Sequence, residues 1–253
     1  MFLCIKYGIL TILLWNFVYG TISIKFNHKM IDTKIHRPSK RTLIYIPIIH
    51  TETDMGSLSE SVKQATLSKF GKNGWKQKVE LVDKVWTYIE LAIADLNLPF
   101  ERIRIYQDAL PICGKEIEIV TDLAKGGSRN HQILLHLIEK GAMIMGTESL
   151  ELLMKEYELT KQNLAMIENS KSNEELVYLK TLSESILRKR DEFIANRIHL
   201  TLRNGEFGTL FIGMLHTVLN FLPDDIQIIH PINKSSINCG RNNEEEQKSG
   251  ADS

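Results

Sequence analysis

The sequence predicts an α/β fold: a single domain with a largely parallel central sheet covered by helices and a helix-rich insertion in its middle. Two observations carry that expectation. Apolar, β-branched runs alternate along the chain with stretches whose apolar residues recur every three or four positions, the pattern of strands joined by crossover helices. The first run, Leu43-Ile-Tyr-Ile-Pro-Ile-Ile, is apolar almost throughout rather than at every second residue, as suits a strand covered on both faces.

Residues 42–49 form the first expected strand. Pro47 offers no N–H, so a bulge or an exit from the sheet is expected there. Ser57-Leu-Ser-Glu60 matches a capping box and starts a helix, which Gly71 and Gly74 break. A second helix over 75–96 carries Val79, Val82, Trp86, Ile89, Ile93 and Leu96 at helical spacing, and Asn97 with Pro99 stops it. Residues 102–106 form a short strand, and a helical stretch over 115–123 leads to Gly126-Gly127-Ser128, where Ser128 caps a helix through Lys140. A third strand at 141–145 turns through Gly146-Thr-Glu148 into two helices filling 149–203, divided by a polar run at 169–173. The last buried strand is 208–212. A helix after His216 ends at Pro223, and 226–229 is an edge strand.

The chain has 253 residues, enough for a sizeable core, and its 31 basic residues equal its 31 acidic ones. No net field or basic-aromatic stripe favours nucleic acid, so no nucleic-acid partner is expected. The three cysteines, Cys4, Cys113 and Cys239, have no CxxC spacing and support neither a zinc ribbon nor a disulfide framework. Residues 1–29 are read as a hydrophobic N-terminal segment: a signal, an anchor, or an extension preceding a start at Met30. Membrane contact is expected only through residues 7–24, if retained, so export or anchoring and a cytoplasmic location stand equally open. Residues 30–41 read as a linker, 42–232 as the domain and 233–253 as a polar, disordered tail. The sequence sets no oligomeric state.

Four expected strands end in polar residues that carry chemistry: His50, Asp108, Glu148 and His216. In open parallel sheets ligands bind beyond the carboxyl ends of the strands, so these four approach one another if their strands are neighbours. Imidazole and carboxylate together suit a divalent metal, zinc or manganese, with His50, Asp108, Glu148 and His216 as ligands. The same groups also suit metal-free acid–base catalysis. Each has a plainer reading: Asp108 as a turn former, Glu148 as a complement to a helix dipole, the histidines as core residues. Which of Asp108 and Glu148 is the key acid is open. Arg190 lies between Ile186 and Phe193-Ile194 on an apolar helix stripe, where a guanidinium must reach outward or meet a buried acid or a substrate anion. Asp54 reads as a loop acid, and His131 receives no role.

On these residues the chain resembles the TraB/GumN/TIKI family, distantly related to the erythromycin-esterase and ChaN-like fold. The second Gly-x-x-His motif of that group reads Gly213-Met-Leu-His216, preceded by an arginine motif, Arg190-Asp-Glu-Phe-Ile-Ala195. The first motif carries proline in place of glycine, Pro47-Ile-Ile-His50. The resemblance implies a metal-dependent peptidase or another hydrolase. The expected protein is therefore a hydrolase of a small-molecule or peptide ligand, with His50, Glu148, Arg190 and His216 as catalytic residues. The competing expectation is a non-catalytic protein that binds such a ligand in the same crevice.

Overall fold

The computed structural model of the chain describes residues 22–23, 40–51, 54, 59–167, 173–232 and 238–239. Its first strand, β1 (Ile22–Ser23), pairs antiparallel with the last, β7 (Asn238–Cys239). The main sheet has five strands, all parallel: β2 (Arg41–Ile48), β3 (Ile103–Gln107), β4 (Met143–Met145), β5 (Phe207–Gly213) and β6 (Ile226–Ile229). Their order is β4-β3-β5-β2-β6, so the penultimate strand in sequence lies between the first two. The central pair runs in register from Thr42↔Phe207 to Ile48↔Gly213, and every residue of β2 and β5 is buried.

Side-chain alternation divides these strands between two helical layers. Ile44, Ile46, Ile48, Ile105, Phe207 and Phe211 face one side. There they meet Val82, Trp86 and Ile89 of α1 (Ser59–Asp95), Ile119 and Val120 of α2 (Glu116–Lys125), and Ile133 and Leu134 of α3 (Arg129–Glu139). Leu43, Tyr45, Tyr106, Leu210 and Ile212 face the other side, against Ile194, Ala195 and Ile198 of α5 (Asn173–Thr201). The long helix α4 (Leu150–Ile167) packs on α5 through Leu159, Leu179 and Ile186. Each fully buried side chain of this size contributes roughly 1.5–3 kcal/mol, and the near-continuous apolarity of β2 is the trace of being covered twice.

Local chemistry accounts for the departures from expectation. Gly71 breaks α1 with a left-handed φ of 68°, but Gly74 stays helical, so the second helical segment begins earlier than residue 75. Pro47 produces no bulge, since it pairs in register with Ile212. The edge strand β6 pairs with β2 only through Ile44. Beyond that point β2 has β5 as its one strand neighbour, and alternate N–H groups face no strand, so a missing donor is tolerated. The segment after His216 is a 3₁₀ turn, Val218–Phe221, rather than an α-helix, because Pro223 follows too soon for one to nucleate. The capping box at Ser57, residues 7–21 and most of the polar tail lie outside the described residues. Among the described residues no helix is long and apolar enough to cross a membrane.

Candidate functional site

At the carboxyl edge of the sheet the chain leaves β3 through Asp108, whose N–H still pairs with Phe211 O at 2.9 Å. The next residue, Ala109, has a φ of 62°, a left-handed turn uncommon for a residue with a side chain. That turn aims the Ala109 N–H at Glu148 Oε1, 2.7 Å away. Glu148 follows β4 and is itself tied back by its N–H to Leu110 O at 3.0 Å. Two strand exits are thus laced together, and both carboxylates point inward.

His50 and His216 arrive from the central strands and meet the same oxygen. Nε2 of His50 lies 3.1 Å from Asp108 Oδ2, and Nε2 of His216 lies 3.4 Å from it. The two Nε2 atoms are therefore no farther apart than the sum of those contacts. Asp108 Oδ2 also accepts the Gly213 N–H at 2.9 Å. A Cβ at Gly213 would stand 2.9 Å from that oxygen and 3.6 Å from His50 Nε2, so only glycine lets the backbone approach. The two histidine motifs are not equivalent in the sheet: Gly213 pairs with Ile48, one residue beyond Pro47, and the loops bring the imidazoles together.

Arg190 sits beneath, 1% exposed, with three carboxylates around it. Its Nε donates to Glu148 Oε2 at 2.7 Å, Nη1 to Glu156 Oε2 at 2.6 Å, and Nη2 to Asp108 Oδ1 at 2.7 Å and Glu148 Oε1 at 2.5 Å. The planar fork is thereby spent on the protein's own acids. Its neighbour Asp191 serves His216: Nδ1 donates to Asp191 Oδ1 at 2.5 Å, while Oδ2 accepts the Thr217 N–H at 2.7 Å and hydroxyl at 2.8 Å. This fixes the orientation of the His216 ring and leaves Nε2 facing Asp108, buried and without a hydrogen bond of regular geometry.

Electrostatics follow from this crowding. Burial alone would lower the His216 pKa, but the Asp108 charge and contacts with Asp108 and Asp191 push it up to about 10. Burial would lower His50 as well, but its bond to Asp108 and the Asp108 and Asp54 charges together raise it. Burial would raise Asp108, yet the His216 and Arg190 charges hold its carboxyl well below the usual carboxylate range. Burial prevails at Glu148, whose pKa is raised despite Arg190. The two acids that the sequence could not rank thus differ in kind: Asp108 is the anion between the histidines, and Glu148 is the arginine's partner.

Among the described residues no group of three or more His, Cys, Asp or Glu is arranged to hold a metal ion. Both Glu148 oxygens and Asp108 Oδ1 already face Arg190. Of the four expected ligands, His50 and His216 turn Nε2 onto Asp108 Oδ2 itself, and Glu148 faces Arg190 instead.

Sequence reasoning passed over Asp191 and Glu156. Both stand on apolar stripes, Asp191 three residues before Ile194 and Glu156 three from both Leu153 and Leu159, a spacing that marks inward-facing acids. It also undervalued Asp54, whose Oδ2 accepts the Thr51 N–H at 2.6 Å and hydroxyl at 2.9 Å. Its Oδ1 accepts the Ser128 hydroxyl. Burial would raise the Asp54 pKa, but His131, His50 and Ser128 bring it down to about 2 from the usual 3.8. A depressed carboxylate stabilises the fold above pH 3.8 and loses that contribution as pH falls toward 2. Asp54→Asn is therefore expected to cost roughly 2 kcal/mol near neutral pH. In urea titrations run at successive pH values the gap from wild type should close toward pH 2; a gap independent of pH would contradict this.

The chain matches no protein-family model, no curated protein and no solved structure.

Proposed function

We propose that the protein is a hydrolase acting on a small-molecule or peptide substrate by acid–base catalysis at the carboxyl edge of its sheet. The observation that carries this is the convergence of two imidazole Nε2 atoms on one carboxylate oxygen, Asp108 Oδ2. In this reading His216, kept protonated at neutral pH, gives a proton to the leaving group. His50, in its neutral form, takes a proton from the attacking water. Asp108 holds the two rings toward each other, and Arg190 holds Asp108 rather than touching substrate. A divalent zinc or manganese ion, if bound, would draw on His50, Asp108 and His216, which supply two nitrogens and one oxygen but would have to part from their present contacts at Asp108 Oδ2 to hold it, and would supply Lewis acidity. The TraB/GumN/TIKI-like motifs favour the same reaction class. A ligand-binding protein without turnover is the second reading, favoured by the commitment of Arg190 to Asp108, Glu148 and Glu156 rather than to an oxyanion of a substrate.

The test uses the full chain against chromogenic esters and a fluorogenic peptide library, with metal content measured on the same preparations. Hydrolysis by wild type should fall roughly 10²–10⁴-fold in both His50→Ala and His216→Ala. Loss of activity with a chelator, and of bound metal in both variants, would establish the metal-assisted form. Ligand binding with no turnover in any preparation would leave the second reading in place of the first.

A further inference from the structure

We infer that Asp54, anchored by Ser128 and His131, is the positioning residue for His50. The inference rests on the proposed hydrolysis for its functional meaning, but its geometry stands by itself. His50 is followed at once by a closed turn: Thr51 donates both its N–H and its hydroxyl to Asp54 Oδ2, and the Asp54 N–H returns to Thr51 O at 3.1 Å. The other carboxylate oxygen reaches Ser128, the N-cap of α3, 74 residues away in sequence. A buried carboxylate is tolerated only where its bonds are made, so this turn is held in one place by the charge it encloses.

The protons in this cluster can be followed one by one. Ser128 has a single hydroxyl hydrogen, and it points to Asp54. Ser128 Oγ lies 2.7 Å from His131 Nδ1 and 3.3 Å from the His131 backbone N–H, so both of those nitrogens are the donors. His131 is therefore the Nδ1–H tautomer. That assignment excludes a Ser–His–Asp nucleophile here, because the imidazole presents a hydrogen to the serine rather than a lone pair. The cluster can hold a neighbour still but cannot activate Ser128. The neighbour is His50, one residue before the turn, close enough for the Asp54 charge to act on its ring. A misplacement of about 1 Å at a catalytic group can cost on the order of 10²-fold in rate, which is the scale on which such a tether matters.

The experiment compares wild type with Asp54→Asn, Ser128→Ala and Ser128→Thr as full chains, under conditions where circular dichroism and urea titration show each folded. The first reading is the ring ¹H–¹⁵N signals of the histidines. Those of His50 should shift and broaden in Asp54→Asn and Ser128→Ala, those of His216 should stay, and Ser128→Thr should bring His50 back toward wild type. The second reading is kinetic: kcat is expected to fall about tenfold or more with KM changed less than twofold. Unmoved His50 signals in folded Asp54→Asn would overturn the inference whatever the activity. Shifted His50 signals in a protein with no turnover would sink the hydrolase reading while leaving the positioning intact.

Discussion

Replacing Arg190 by methionine is expected to cost about 3–5 kcal/mol or to prevent folding altogether. The guanidinium makes four hydrogen bonds to Asp108, Glu148 and Glu156, whose side chains are 1%, 0% and 7% exposed. Removing it strands three carboxylates away from water, and breaking a buried pair from one side costs about that amount against a total stability of about 5–15 kcal/mol. Arg190→Lys should recover little, because a point charge with three donors cannot span three separated acids. Arg190→Met combined with Glu148→Gln and Glu156→Gln should recover part of the loss, since neutral amides are cheaper to bury. Urea midpoints at constant m-value measure all three, and a midpoint for Arg190→Met equal to wild type would show that the acids find water or other partners.

Asp191→Asn should lower activity by roughly 10²–10³-fold while leaving the protein folded, provided His216 acts as proposed. The carboxylate accepts three hydrogen bonds, one from His216 Nδ1 and two from Thr217. An amide has one acceptor oxygen, so in either orientation its NH₂ meets a donor. Turned toward His216, the NH₂ opposes the Nδ1–H of the protonated ring, so His216 is driven to its neutral form and loses the acidity it would lend to the leaving group. Turned toward Thr217, it opposes an N–H and a hydroxyl, at a cost of about 1–3 kcal/mol. Steady-state kinetics beside a thermal melt check this: a drop confined to stability, with kcat intact, would return Asp191 to a structural role.

How much of this was legible in the sequence depends on the element. The central strands β2 and β5 stood out because both faces are covered and their residues are accordingly apolar almost throughout, whereas β4 and β6 are short and partly exposed. The Arg190 site was legible in part, since a guanidinium on an apolar stripe must reach outward or meet a buried acid or a substrate anion, and here it meets acids of its own chain. Which acids, and how many, were not, because a carboxylate on a helix reads as solvent-facing until its stripe is compared with its neighbours, as at Glu156 and Asp191. The meeting of His50 with His216 depends on β5 lying between β2 and β3, and strand order leaves no mark on local composition. Ala109 shows the limit most sharply: nothing about an alanine announces a left-handed turn, which here is set by the Glu148 carboxylate that receives its N–H.

The same strand order has a consequence for how the molecule comes into being. During synthesis β2 and β3 emerge long before β5, yet they do not touch in the finished sheet, and each must wait for the strand that separates them. Helix α1 can form meanwhile from local contacts, but the two halves of the sheet are joined only when residues 207–213 enter the gap, closing pairings more than 100 positions apart in sequence. Such non-local closure is slow and leaves unpaired strand edges exposed in the interval. A ribosome-bound chain stopped before residue 207 should therefore be open to proteolysis along β2 and β3, and become resistant only after His216 has cleared the exit tunnel.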